Sequence, residues 1–326
     1  MKQLKLGIVG LGRISQIWIR ALSGTEGMHV QAVCDTDPGK TSNFQTLNAY
    51  DSVDKMLQAE KDLDAVIVAT STKTHFDIGR LILESGNNLV MEKPTACDMG
   101  SFEHLARLAR DRSLILYNAL HFSFSDELLW YIEHENYLEQ QLGEQKAFIS
   151  TFSDPYLGDA GISKENEGLV GSWFDSGPNA LSVLAKIFGE IEVTYSFLGK
   201  EGFQVENLAS HILLDAKANS RNRLFGSIMT TWSSGVNRKL SNVVYERGFV
   251  EIDHTLQSVS IIEPGGAVNV IYKHDGERLL THYIGMVRDL LEKINECTDN
   301  VDSARVVYKQ LFRAIDLNRR ITDARK

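Results

Sequence analysis

The stretch FDSGPNALSVLAKIFG, residues 174–189, sets Asp175 and Asn179 four residues apart, with Ser176, Gly177 and Pro178 between them. Its back half carries apolar residues at helical spacing up to Gly189. A helix over 175–188 is therefore predicted, with the carboxylate and the carboxamide on one face. The pair is either the polar entrance of that helix, with Asp175 as N-cap and Pro178 in the first turn, or two arms of a polar site. Two further groups could do chemistry. Lys93 lies in MEKP (91–94), at the end of the apolar run NLVME and directly before a proline. Gly10 and Gly12 lie in GIVGLGRIS, between an apolar run and a helical pattern, where N–H groups at a helix N-terminus can receive a pyrophosphate.

These residues need a scaffold. Strands are predicted at 4–9, 29–35, 64–69, 88–92 and 113–119, alternating with helices at 13–23, 74–85 and 99–112. Strands that are apolar on both faces and alternate with helices imply a parallel sheet covered on both sides. The pattern changes after about residue 120. A helix at 124–140 and an extended segment at 144–153 lead into 154–172, a polar, Gly-rich loop of the kind that covers sites. Beyond the 175–188 helix, strand-like segments run at 191–198, 208–217, 223–232, 239–245, 248–253, 257–263 and 267–273, with turn chemistry between them. Helices at 278–296 and 303–322 finish the chain, the second with a basic face read as solvated (Arg305, Lys309, Arg313, Arg319, Arg320). The fold class is α/β: an N-terminal Rossmann-type parallel sheet over 1–121, then 122–326 with a large, mostly antiparallel open sheet. The last helices are free to pack back on the first domain.

The glycine turn is read from its context. Gly10-x-Gly12-x-x-Ser15 follows a strand and opens a helix, as a dinucleotide fingerprint requires. Gly10 permits the tight turn, Gly12 lets the backbone approach the pyrophosphate, and Ser15 is a small departure at the third position. Asp35, 23 residues after Gly12, ends the second strand, where a carboxylate accepts from the adenosine ribose hydroxyls. It would repel a 2′-phosphate, so NAD is favoured over NADP. ATSTKTH (69–75) and MEKP end the next two strands of the sheet, and ligands of open α/β sheets bind beyond such carboxyl ends.

Composition bounds the partners. The 326 residues are 43% hydrophobic and 24% charged, with a formal net charge of −9 and no long basic run. That disfavours nucleic acid or an anionic membrane as partner. No segment reads as a signal peptide or a membrane span. Cys34, Cys97 and Cys297 are odd in number and lack metal spacing, so a cytoplasmic protein with reduced thiols and no metal is expected.

The chain resembles the Gfo/Idh/MocA family of NAD(P)-dependent sugar and polyol dehydrogenases. The resemblance runs over its whole length and rests on GIVGLGRIS, AVCDTDP, IVATSTKTHFDIGRLILESG, the EKP motif and the D-x-G-x-x-x start of the 175–188 helix. It implies a nicotinamide at the domain junction, a C-terminal sheet that builds a homodimer or homotetramer, and a small-molecule sugar or polyol as substrate. It places Lys93 beside the substrate hydroxyl, with Asp175 and the residue four further on completing the catalytic set. It implies cofactor contacts from Gly10, Gly12, Arg13, Ile14, Asp35, Thr70, Ser71, His75, Glu92 and Lys93, with Glu92 orienting Lys93 or the nicotinamide ribose.

The family pattern has a histidine where this chain has Asn179. An amide can hydrogen-bond a hydroxyl but cannot take its proton. The Asp…Asn pair resembles the aldose 1-dehydrogenase branch, whose substrates carry a more acidic anomeric hydroxyl, so neutral Lys93 or Asp175 could serve as base. The alternatives are a catalytically silent NAD/sugar-binding regulator, or a member that uses NAD transiently for elimination or hydrolysis. Substrate contacts are expected from Lys93, Asp175, Asn179 and His121, with Asp154, Tyr156 and Trp173 as further candidates for sugar hydrogen bonds or ring stacking. Each of these also has a plain reading, as a packed hinge histidine, loop residues or core.

Overall fold

A computed structural model describes residues 3–158, 161–162, 169, 171–199, 209–218 and 222–323. In chain order the first elements are β1 (Leu4–Val9), α1 (Arg13–Ser23), β2 (Met28–Cys34), α2 (Pro38–Thr41), β3 (Asn48–Tyr50), α3 (Val53–Ala59), β4 (Ala65–Val68), α4 (Thr72–Glu84), β5 (Asn88–Glu92), α5 (Met99–Asp111) and β6 (Leu116–Ala119). A 3₁₀ turn (His121–Phe124) leads to α6 (Asp126–Leu142), β7 (Gln145–Ser153), the short pair β8 (Leu157–Gly158) and β9 (Gly161–Ile162), and α7 (Ser172–Phe188). Then come β10 (Ile191–Gly199), β11 (Ala209–Ala218), β12 (Asn222–Thr231), β13 (Arg238–Tyr245), β14 (Gly248–Asp253), β15 (Ser258–Ile262), β16 (Val268–Lys273), α8 (Arg278–Glu296) and α9 (Val301–Asp323). The chain divides into two compact units, one of Met1–Leu120 with Leu279–Ala304, the other of His121–Arg278 with Arg305–Lys326.

The first unit is the predicted parallel sheet, in the order β3-β2-β1-β4-β5-β6. Every strand pair is parallel. The order reverses between β1 and β4, the switch point at whose carboxyl ends ligands bind in such sheets. All four residues of β4 are fully buried, which is why it reads as an unbroken apolar run. The C-terminal part of this unit closes the β6 side. Tyr117 of β6 donates to Asp289 of α8 at 2.7 Å. Asn300 accepts from the Asn118 N–H at 2.8 Å and donates to the Asn118 carbonyl at 2.9 Å, so it satisfies the backbone of an edge strand.

The second unit is a mixed sheet in the order β10-β11-β12-β7-β13-β14-β15-β16. Its one parallel pair is β12 with β7, and the other pairs are antiparallel. One face is covered by α7 over β7, β10, β11 and β12, and by α6 over β14, β15 and β16. The opposite face carries Phe225, Ile149, Phe249 and Val270, all exposed. Helix α9 pins the β10 edge. Gln310 accepts from the Val193 N–H at 2.8 Å, and Arg313 donates to the Val193 carbonyl at 2.6 Å. Arg313, expected on a solvated face, is therefore partly spent on a strand edge.

Helix α7 begins earlier than its sequence pattern suggests. It starts at Ser172 with Gly171 as cap, so Asp175 is not the N-cap, and Pro178 lies inside the helix. The extra turn is held by tertiary contacts. Trp173 donates to the Leu311 carbonyl at 3.1 Å, and Ser172 pairs with Thr230 at 2.9 Å. Part of the predicted 154–172 loop forms the β8–β9 pair. Residues 159–160, 163–168 and 170 of that loop, like 208 of the predicted 208–217 strand, lie outside the described residues.

Candidate active site

In the first unit the candidate residues gather at the carboxyl ends of β1, β2, β4 and β5. Gly10 has φ +90, and a Cβ there would sit 2.7 Å from the Ala69 carbonyl oxygen, so only glycine fits. A Cβ at Gly12 would meet nothing within 4 Å. Gly12 caps α1 with no side-chain hydrogen bond, which leaves the first-turn N–H groups of Arg13 and Ile14 unspent on a cap. The backbone is thus open where a pyrophosphate would sit. Ser15 is buried and donates to the Gly12 carbonyl at 2.6 Å, which accommodates a hydroxyl at the third position of the fingerprint.

Asp35 is tied to this turn. It accepts from the Leu11 N–H at 2.8 Å, the Asp37 N–H at 2.9 Å and Lys40 at 3.3 Å. Burial raises its pKa, but the hydrogen bonds from Leu11, Asp37 and Lys40 outweigh that, and the net direction is down. The carboxylate is ionised and fixed beside the glycine turn, as a ribose-binding acid must be. These residues fit the ADP half of a dinucleotide.

Thr70 and Ser71 follow β4, and the Ser71 hydroxyl does not cap α4. His75, buried in the first turn of α4, lies 2.8 Å from the Pro94 carbonyl oxygen by Nδ1 and 3.1 Å from that of Thr70 by Nε2. It clasps the ends of β4 and β5 together. Burial, the largest influence, pushes its pKa down and favours the neutral ring, which can donate to only one of those carbonyls.

Glu92 occupies the base of the EKP turn. Its Oε1 accepts from Trp18 at 2.9 Å and from Tyr283 at 2.6 Å, and its Oε2 from the Lys93 N–H at 3.1 Å. The two aromatic rings meet edge to face with centroids 5.2 Å apart. Burial pushes the Glu92 carboxyl up, against the opposing pull of Tyr283, Lys93 and Trp18. Glu92 thereby anchors the backbone of Lys93.

In the second unit α7 carries Asp175 and Asn179, both buried. Asn179 Oδ1 has no hydrogen-bond partner among the described residues. A buried acceptor left so is costly unless a ligand or water meets it. His121 is buried in the 3₁₀ turn, which packs against α7. Asp154, just past β7, spends both oxygens: Oδ1 on Lys239 at 2.6 Å and Oδ2 on Ser176 at 2.9 Å. Trp173 is fully buried, and its ring faces Gly177, where a Cβ would lie 2.9 Å from it. With its N–H on α9, Trp173 packs in the core, the plain reading that its sequence also allowed.

Three residues were not singled out from sequence. Lys239 of β13 is buried and faces the helix-covered side; the one signal is a lysine on the inward register of RKLSNVVY, where the burial alternates. Burial pushes its pKa down, with Asp154 opposing. Trp232 is fully buried, with its Nε1 unpartnered among the described residues and its ring 5.4 Å from that of Tyr156. His254 is buried between Glu127 at 2.7 Å and Ser241 at 3.1 Å.

Comparison with known proteins shows what the chain is similar to. Residues 4–120 match the model of the Gfo/Idh/MocA oxidoreductase family, NAD-binding Rossmann fold. The oxidoreductase YceM of Salmonella typhimurium is 31% identical over 117 residues, 36% of this chain and 38% of that protein. Trans-1,2-dihydrobenzene-1,2-diol dehydrogenase of Xenopus laevis is 28% identical over 192 residues, 56% of each. The matches thus span from about a third to just over half of these relatives' lengths. The inositol dehydrogenase homolog of Azotobacter vinelandii, solved with NADH and myo-inositol, shares the fold at TM-score 0.80, over 98% of this chain and 96% of that one, at 16% identity. No helix among the described residues is long and apolar enough to cross a membrane.

Two outcomes test the first unit. Asp35→Ser is expected to weaken NAD binding about tenfold and to erase the preference over NADP, read by titration of both; an unchanged preference would remove Asp35 from the ribose site. Glu92 binds its proton more tightly folded than unfolded, so above its ordinary value of 4.5 its ionisation costs stability as pH rises. The melting temperature of Glu92→Gln should therefore gain on the wild type as pH rises above 4.5. A variant that falls further behind as pH rises would show a stabilising carboxylate instead.

Proposed function

We propose that the protein is an NAD-dependent dehydrogenase that oxidises a carbinol carbon of a sugar or polyol, with the anomeric carbon of an aldose favoured and a lactone as product. Bound NAD⁺ supplies the hydride acceptor. The glycine turn and Asp35 hold its ADP half, and Lys93 contacts the substrate oxygen. Asp175 and Asn179 hold substrate hydroxyls. Asn179 carries the substrate assignment: its buried Oδ1 lacks a donor among the described residues, and a sugar hydroxyl is a donor of the right kind. Asn179 cannot take the hydroxyl proton, so the Lys93 amine or the Asp175 carboxylate receives it. An acidic anomeric hydroxyl lowers the demand on that base. The three cysteines are free, in keeping with a reducing, cytoplasmic setting.

We also infer self-association through the uncovered face of the second unit's sheet. Register aligns Ala147 with Phe225 and Val244, and Val244 with Phe249, so the exposed apolar residues form rows across the sheet. Phe225 is 67% exposed and Val270 58%, unusual for large apolar side chains on a sheet. A homodimer or homotetramer would cover them.

NADH formation over a panel of aldoses and inositols tests the activity. Turnover is expected with at least one aldose, with Lys93→Ala lowering kcat/KM by about 10²–10⁴-fold. Full activity in that variant would sink the mechanism. NAD binding without turnover on any sugar would assign a regulatory role, and conversion of a sugar derivative without net NADH would assign transient use of NAD. In light scattering, Phe225→Glu with Val270→Glu is expected to yield monomers from an oligomeric wild type; an unchanged mass would place the interface elsewhere.

A further inference from the structure

The polar stripe of α7 is held from below by a charge pair. Ser172, Ser176 and Asn179 follow each other at i, i+4 and i+7, so they share one face of the helix. Ser172 is tied to Thr230 of β12 at 2.9 Å, and Ser176 to Asp154 at 2.9 Å. Asn179 comes one turn later on the same stripe. Within this segment Pro178 has no N–H to give the Phe174 carbonyl, so the helix's own ladder is interrupted there. The side-chain ties take over that constraint.

Lys239 stands behind the second tie. Its ammonium donates to Asp154 Oδ1 at 2.6 Å and Asn237 Oδ1 at 2.7 Å, and approaches the Ser153 carbonyl at 3.4 Å. Three protons meet three acceptors, which leaves none for a substrate. Both oxygens of Asp154 are likewise spent, one on the lysine and one on Ser176. The Asp175 carboxylate is within Coulombic reach of the same lysine. A buried ion pair is a poor stabiliser compared with apolar packing, so one that is kept under a polar turn calls for another role.

We propose that Lys239 is a positioning residue of the substrate half: through Asp154 and Ser176 it fixes the turn of α7 that carries Asp175 and Asn179. The proposal rests on the dehydrogenase reading for its kinetic consequences and not for its structural ones. Removing the lysine strands a buried carboxylate, which then turns toward water and releases Ser176. Removing the serine hydroxyl cuts the link but leaves the ion pair whole.

Three variants separate positioning from mere charge compensation: Ser176→Ala, Lys239→Met and the double variant Asp154→Asn with Lys239→Met. Ser176→Ala and Lys239→Met should each lower kcat on the order of tenfold, with the Kd for NAD unchanged. Both should raise deuterium uptake in the peptide over 172–180. The double variant, free of buried charge, should recover the melting temperature lost in Lys239→Met without recovering kcat. Recovery of both, or Ser176→Ala with unchanged kcat and uptake, would overturn the proposal. If the wild type turns over no sugar, the dehydrogenase reading fails by itself, and uptake over 172–180 in Ser176→Ala decides the role of Lys239 alone: raised uptake upholds it and unchanged uptake overturns it.

Discussion

Glu92 is a buried carboxylate directly before Lys93, the candidate catalytic lysine, and three donors hold it there. Trp18 reaches it from α1 and Tyr283 from α8, while the third donor is the N–H of Lys93 itself. A carboxyl in such a place costs desolvation, visible in its raised pKa. That cost is offset only while every partner stays in position. Glu92 therefore couples the helix that opens at the glycine turn to the strand end that presents Lys93. His75 adds a second tie at the same edge, from α4 to one of the Thr70 and Pro94 carbonyls. Cofactor cradle and candidate catalytic lysine are set by one buried network.

The second unit solves a related problem with different means. Helix α7 must present a carboxylate and an amide from a segment that a proline weakens. Its N-terminal turn is secured by Trp173 on α9 and by serines on the sheet, and its rear by the Asp154–Lys239 pair. Gly177 permits this arrangement, since a side chain there would collide with the Trp173 ring. FDSGPN thus encodes packing and chemistry at once, and its small residues are as constrained as its polar ones.

What could be read from sequence was what is local. Gly10, Gly12 and Asp35 belong to a motif whose spacing is its own evidence, and the parallel sheet followed from apolar runs alternating with helices. Lys93 stood out as a candidate because a lysine at the end of an apolar strand needs a reason to be there. The start of α7 was misplaced because local rules put a proline in the first turn, and a buried tryptophan of α7 bonded to the Leu311 carbonyl of the distant α9 overrode them. Tyr283 and Lys239 were invisible for the same reason: their partners lie 191 and 85 residues away, beyond the reach of any periodicity. The partners of Asp154 and Trp173 were likewise beyond the reach of the sequence, lying on β13 and α9.

Asn179 sets the main constraint on the chemistry proposed above. A histidine there would titrate near neutrality and change the charge of the α7 stripe with pH. The amide does not titrate. The Asp154–Lys239 pair is linked to the same helix through Ser176, and the three protons of the lysine all have acceptors. For the dehydrogenase proposed above, a substrate whose hydroxyl is acidic from the outset would suit a carboxamide at position 179 better than an ordinary secondary alcohol, since an amide offers hydrogen bonds and no imidazole base.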